Sequence, residues 1–210
     1  MEKNNTPWDQ RLARFLVKPL AKTSISPNQV SIFTLFLALF GAGLLSTGDL
    51  IFVNIGAGIF VLSRFLDHFD GELARLKGAA TRLGYLLDYF AGAISYAAMF
   101  LGIGVGFRNH EFGVLAVILG CVGAIASIAS LHLNLEIDKI LNTNDTVDAI
   151  GYPDFAGFEL EDGIYLVAPL TWVGYLFPFF ILAAIGSIFY TIWTATVLLR
   201  VRKKHLSNNN

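Results

Sequence analysis

The sequence predicts an all-α membrane protein that crosses the bilayer six times, with an amphipathic juxtamembrane helix ahead of the first span. Two observations carry that prediction. Apolar runs of membrane-crossing length recur along the 210 residues, and the charged residues gather in the breaks between those runs. The composition is 55% hydrophobic and 15% charged, with a mean hydropathy of +0.60. A span needs about 20 mostly apolar residues, and a water-soluble domain has no use for several unbroken runs of that kind. The net charge of −1 excludes little, because cations and anions occupy different segments. Cys121, the only cysteine, lies inside an apolar run, so no intramolecular disulfide can form. The start, MEKNNTPWDQRLARFLVKPLAK, lacks the apolar core of a cleavable signal peptide.

From Pro7 to Lys22, apolar Trp8, Leu12, Phe15, Leu16 and Leu20 are interleaved with Arg11, Arg14, Lys18 and Lys22. That pattern predicts a basic amphipathic helix in the headgroup plane, its cations toward anionic lipid. It is too short and too apolar to offer a nucleic-acid surface. Pro27 breaks the chain before the first span, about Val30 to Leu45. A second helix starts near Ile51 and runs through Arg75, with Gly78 and Thr81 marking the turn. The third span covers about Leu83 to Val105, Gly106 to Glu111 form a loop, and the fourth runs from about Phe112 to Leu133. Its small residues (Gly120, Gly123, Ala124, Ser127, Ser130) suit close helix contact in lipid. Asn134 to Asp162 turns polar and acidic and reads as a loop. The apolar block Gly163 to Leu199 is too long for one span and divides near Tyr175 to Pro178 into a short fifth helix and a longer sixth. Residues 1–204 form a single domain, and 205–210 read as a disordered tail.

With six spans and both termini on one side, that side receives nearly all the Lys and Arg residues, and the opposite loops receive only Arg108. The positive-inside rule makes the basic side cytoplasmic.

One stretch stands out, DHFDGELARLKGAATRLGYLLDYFAG over Asp67 to Gly92. Asp67, Asp70, Gly71, Ala74 and Arg75 share one face of a helix, and Gly84 and Asp88 repeat an i, i+4 step on the next. Hard carboxylate oxygens suit Mg²⁺ or Mn²⁺, and glycines leave room for a flat ligand to approach backbone. The plain alternative is that these acids pair with Arg64, Arg75, Lys77 and Arg82, but pairing requires neither this spacing nor these glycines. Ionisable residues beside membrane spans default to a functional reading. His68 and Glu72 fall off the shared face and read as solvated. Tyr85 and Tyr89 read as interfacial packing.

The pattern Asp67-x2-Asp70-Gly71-x2-Ala74-Arg75-x8-Gly84-x3-Asp88 resembles the signature of CDP-alcohol phosphatidyltransferases. The likeness extends to the amphipathic start, to Ser26-Pro27-Asn28-Gln29-Val30 and to the six spans. It implies transfer of a phosphoalcohol group from a CDP-alcohol, such as CDP-diacylglycerol, to an acceptor hydroxyl with release of CMP, in phospholipid biosynthesis. By that resemblance Asp67, Asp70 and Asp88 hold two Mg²⁺ or Mn²⁺ ions. Gly71, Ala74 and Gly84 let the cytidine diphosphate approach, and Arg75 stays near metal or nucleotide. The resemblance also implies a homodimer in a bacterial inner membrane, with its site on the cytoplasmic side.

The family pattern has a fourth aspartate where this chain has Gly92, and glycine can neither ligate metal nor take a proton from an alcohol. Three accounts follow. Glu161 or Asp162, at the cytoplasmic start of the fifth helix, serves as substitute base; the protein binds a CDP-lipid without turning it over; or Gly92 disables an otherwise ordinary enzyme. For Glu161 and Asp162 the ordinary role is to complement a helix dipole. A transporter ranks last, because the middle of each predicted span is apolar.

Overall fold

The computed structural model describes residues 8–141, 154–155 and 158–208, with side-chain surroundings for 10–141 and 163–206. The order is α1 (Trp8–Leu16), α2 (Pro27–Leu45), α3 (Leu50–Lys77), α4 (Arg82–Gly106), α5 (Gly113–Leu141), α6 (Val167–Trp172) and α7 (Leu176–Asn208). Between α5 and α6, Asp154–Phe155 and Phe158–Glu159 pair as a minimal antiparallel hairpin, and Leu160–Leu166 is a 3-10 helix. Among the described residues, five helices are long and apolar enough to cross a membrane: α2, α3, α4 with its 3-10 extension to Asn109, α5 and α7.

Local chemistry sets the helix ends. Ser26 and Gln29 form a reciprocal capping box at the start of α2, with Pro27 in its first turn. The Asp49 carboxylate accepts from the Ile51 and Phe52 amides and starts α3. At the other end of α3, Gly78 takes the left-handed conformation (φ 60°). Its amide and that of Ala79 return to Arg75 and Ala74, a Schellman stop that fixes where the motif helix turns. Thr81 then caps α4 by accepting from the Gly84 amide.

Helices α2, α3 and α4 pack at backbone distance. A Cβ built on Gly41 would lie 2.9 Å from the Gly56 carbonyl oxygen, so only glycine lets α2 and α3 cross there. Phe60, Phe100 and Phe180 fill the main core. A second cluster seats Ala13 and Val17, from α1 and the turn after it, against Phe69 and Leu73 of α3. Phe33, Phe36 and Phe40 of α2 point outward, 59–67% exposed, as lipid-facing residues do and water-facing ones rarely do.

The short fifth helix expected ahead of the longer sixth is Gly163–Trp172, 3-10 through Leu166 and α-helical after it. Pro169 sits inside α6, and Gly174 (φ 82°) turns the chain into α7. Nevertheless the segment joins opposite ends of the bundle. Tyr165 meets His68 near the C-terminal end of α3, while the Trp172 indole N–H donates to the Asn54 carbonyl near its N-terminal end. The structure departs from the sequence reading at the C-terminal ends of two helices. α5 continues to Leu141, through residues expected to be loop. There Lys139 pairs with Glu136 one turn back, and Asp138 is buried against α4. α7 likewise runs past Lys204 to Asn208.

Candidate metal centre

Asp67 and Asp70 project from the same face of α3, and Asp88 comes from the second turn of α4. One carboxylate oxygen from each lies within 4.8 Å of the others. Asp67 and Asp70 are buried, 7% and 5% exposed. Burying two like charges side by side is costly unless something offsets them. Arg64, itself buried, reaches Asp67 at 3.0 Å. Two hydroxyls of α2 supply the rest: Thr34 Oγ1 donates to Asp67 Oδ1 at 3.1 Å, and Ser31 Oγ donates to Asp70 Oδ2. The three carboxylates make an oxygen-rich cluster. That donor set fits a hard divalent cation, with Asp67, Asp70 and Asp88 as its holders.

Ser31 and Thr34 escaped the sequence reading. Their signal was present: two hydroxyl residues at i, i+3 inside an otherwise apolar span. Asn28 was noted only within the Ser26-Pro27-Asn28-Gln29-Val30 likeness, with no place at the site. Its side-chain oxygen lies 3.1 Å from where a Cβ on Gly84 would stand, so Gly84 keeps the α2–α4 crossing open beside the acids. The Arg75 guanidinium lies 3.7 Å from the corresponding point on Gly71 and bonds to Glu72 Oε1 at 2.7 Å. Gly71, Ala74 and Arg75 lie in the last two turns of α3, and Gly84 in the first turn of α4. A Cβ added to Gly92, one turn beyond Asp88, meets nothing within 4 Å, so the position opens onto space.

Three readings of individual residues are corrected. Glu72 is buried, not solvated, and lies between Arg75 and Arg14 of α1, the latter at 3.9 Å. His68 is half-buried, its Nε2 3.1 Å from the Tyr165 hydroxyl. Tyr85 and Tyr89 are more than interfacial packing: both hydroxyls donate to Asp138 Oδ2, at 2.6 and 3.2 Å. In each case a neighbouring element covers the residue that was assigned to solvent or to interfacial packing. Besides Asp67, Arg64 lies over the Tyr96 ring, 4.9 Å from its centre. Glu161 and Asp162 belong to the 3-10 helix by backbone, and their side chains lie outside the described residues.

Comparison with known proteins bears on the same region. An uncharacterised protein of Aquifex aeolicus is 31% identical over 120 residues, covering 56% of this chain and 60% of that one. A bifunctional IPC transferase and DIPP synthase of Rubrobacter xylanophilus is 37% identical over 89 residues, only 20% of its own length. The archaetidylinositol phosphate synthase of Pyrococcus horikoshii is 25% identical over 167 residues, 76% of this chain and 84% of that one. Among solved structures, phosphatidylinositol phosphate synthase of Mycobacterium tuberculosis with CDP-DAG bound superposes with a TM-score of 0.68 at 20% identity, over 90% of this chain and 94% of that one. The same protein in complex with manganese and citrate gives 0.69, over 89% and 88%. At that identity the likeness shows a shared fold. The family model for CDP-alcohol phosphatidyltransferases matches residues 24–201, a range that takes in nearly the whole described bundle and the Asp67–Gly92 stretch. The chain belongs to the CDP-alcohol phosphatidyltransferase family.

Proposed function

We propose that the protein transfers a phosphoalcohol group from a CDP-alcohol, with CDP-diacylglycerol the leading donor, to an acceptor hydroxyl and releases CMP. The observation that carries this reading is the convergence of Asp67, Asp70 and Asp88, with carboxylate oxygens within 4.8 Å of one another. These residues would hold Mg²⁺ or Mn²⁺, as a pair of ions. When bound, such ions polarise the pyrophosphate and offset charge on the leaving group. Gly71, Ala74 and Gly84 keep the adjoining surface low for the cytidine diphosphate. Arg75, tethered by Glu72, offers its guanidinium at the rim. Ser31, Thr34 and Arg64 fix the carboxylate rotamers before substrate arrives.

In the transfer, the acceptor oxygen forms a bond to the β-phosphorus, the bond from that phosphorus to the bridging oxygen breaks, and CMP leaves. The acceptor proton needs a base, and Gly92 is none. Glu161 or Asp162 is our candidate. Both precede Tyr165 in the same 3-10 segment, and Tyr165 touches His68 beside Asp67. The open space at Gly92 leaves room for a base from another element. The second reading, a member that binds a CDP-lipid without turnover, rests on Gly92 alone.

We further infer one membrane domain over residues 1–204, crossing six times with α6 and its 3-10 lead as the fifth crossing. Its site faces the cytoplasm of a bacterial inner membrane, α1 lies juxtamembrane, and the unit is a homodimer. A CMP-release assay with Mn²⁺ tests the reaction. Release by the unaltered chain, lost on Glu161→Ala or Asp162→Ala with CDP-alcohol binding retained, fits a substitute base. Release only after Gly92→Asp, which the structure accommodates, fits a disabled enzyme.

A further inference from the structure

A cavity of about 460 Å³ opens between α4, α5, α7 and the 3-10 segment, within the roughly 300–1,000 Å³ range of small-molecule sites. It lies close to the acids. Tyr96, on its α4 wall, is one turn past Gly92, and its ring is covered by Arg64, which pairs with Asp67. Gly163 and Ile164, on another wall, directly follow Glu161 and Asp162.

The wall chemistry restricts what can fill it. None of the lining residues is charged, so a phosphorylated polyol would find no cation there. The lining includes Ser127, Ser130 and Ser187, yet each hydroxyl is spent on its own helix, donating to the carbonyls of Gly123, Ser127 and Ala184. The Tyr190 hydroxyl already accepts from Asn134 Nδ2. Apart from these hydroxyls and Tyr96, the wall is the apolar surface of Phe100, Phe179, Leu182 and their neighbours, which matches hydrocarbon.

We propose that this cavity receives the hydrocarbon tail of the acceptor, and hence that the acceptor is a lipid alcohol rather than a small polyol. The assignment to the acceptor follows from side. On the transferase reading the nucleotide lies by Gly71 and Gly84, against α3 and the start of α4, and no α2 or α3 residue lines the cavity. A tail held among α4, α5 and α7 brings its hydroxyl in past Gly92, away from the departing CMP. This inference rests on the transferase reading above.

Gly186 lines the cavity, and a Cβ added there meets nothing within 4 Å, so a larger side chain fills the void without striking a neighbour. Binding of radiolabelled dioleoylglycerol and of CDP-dioleoylglycerol with Mn²⁺ is measured in the full chain and in Gly186→Leu. Ala183→Leu on the same wall stands in if the first variant does not fold. The expected result is saturable dioleoylglycerol binding that weakens about tenfold or more in the variant, with CDP-dioleoylglycerol affinity unchanged. With tail-free CDP-glycerol as donor, dioleoylglycerol should also support CMP release where glycerol phosphate does not. Three results overturn the proposal: weakened CDP-dioleoylglycerol binding with dioleoylglycerol unaffected, no change in either, or no saturable dioleoylglycerol binding at all. The transferase reading fails separately, if Asp67→Ala leaves CDP-dioleoylglycerol binding intact.

Discussion

At the scale of single residues, the chemistry turns on buried charge that is deliberately incomplete. Arg64 offsets Asp67, and two α2 hydroxyls serve Asp67 and Asp70. Removing one partner of a buried pair is expensive, on the order of 3–5 kcal/mol. Arg64→Ala should therefore lower the unfolding temperature in metal-free detergent solution, and added Mn²⁺ should recover more stability in the variant than in the parent. Equal Mn²⁺ shifts would mean that Arg64 and the cation do not act on the same charge. Asp67 and Asp70 were legible in the sequence because spacing alone puts them on one face of α3, and Asp88 because its i, i+4 step from Gly84 falls at the start of the next helix. Ser31, Thr34 and Asp138 were not, because which helix covers which face depends on long-range packing that no local period records.

At the scale of elements, crossings set by glycine hold the site helices in place. Gly41→Val would drive its Cβ toward the Gly56 carbonyl and the Phe60 amide, each 2.9 Å away. Overpacking of this kind costs about 1–3 kcal/mol. The expected outcome is a lower unfolding temperature together with weaker Mn²⁺ binding, since α2 carries Ser31 and Thr34. The cap residues made the boundaries of α2 and α3 readable: Pro27, Asp49 and Gly78 each stand where a helix starts or stops. The end of α5 was not readable. Glu136, Asp138 and Lys139 look like loop by composition, and they are helical because Tyr85 and Tyr89 of the neighbouring helix take the Asp138 carboxylate.

At the scale of the whole molecule, the ends of the helices sort by charge. Arg14 meets Glu72, and Arg202 and Lys139 meet Glu136, at the end that holds the acids. At the far end Arg108 donates to Ser46 and Val105 carbonyls. Six crossings predict that cysteines introduced for Lys22 and Lys204, in a chain whose only native cysteine is replaced by Cys121→Ser, are labelled from the same membrane face. A cysteine at Arg108 should be labelled from the other face. Labelling of positions 22 and 204 from opposite faces would mean five crossings. The short fifth segment was the part of the topology that hydropathy could not resolve: half is 3-10, and its passage along the bundle shows only in its contacts with His68 and Asn54.

The most direct measurement is calorimetric titration of Mn²⁺ and a CDP-alcohol into the full-length protein, its Asp67→Ala variant and its Asp88→Ala variant. Metal-dependent nucleotide binding that is present in the parent and lost in both variants is the predicted result. Undiminished affinity in either variant would contradict the account that acids from α3 and α4 hold one shared cation site.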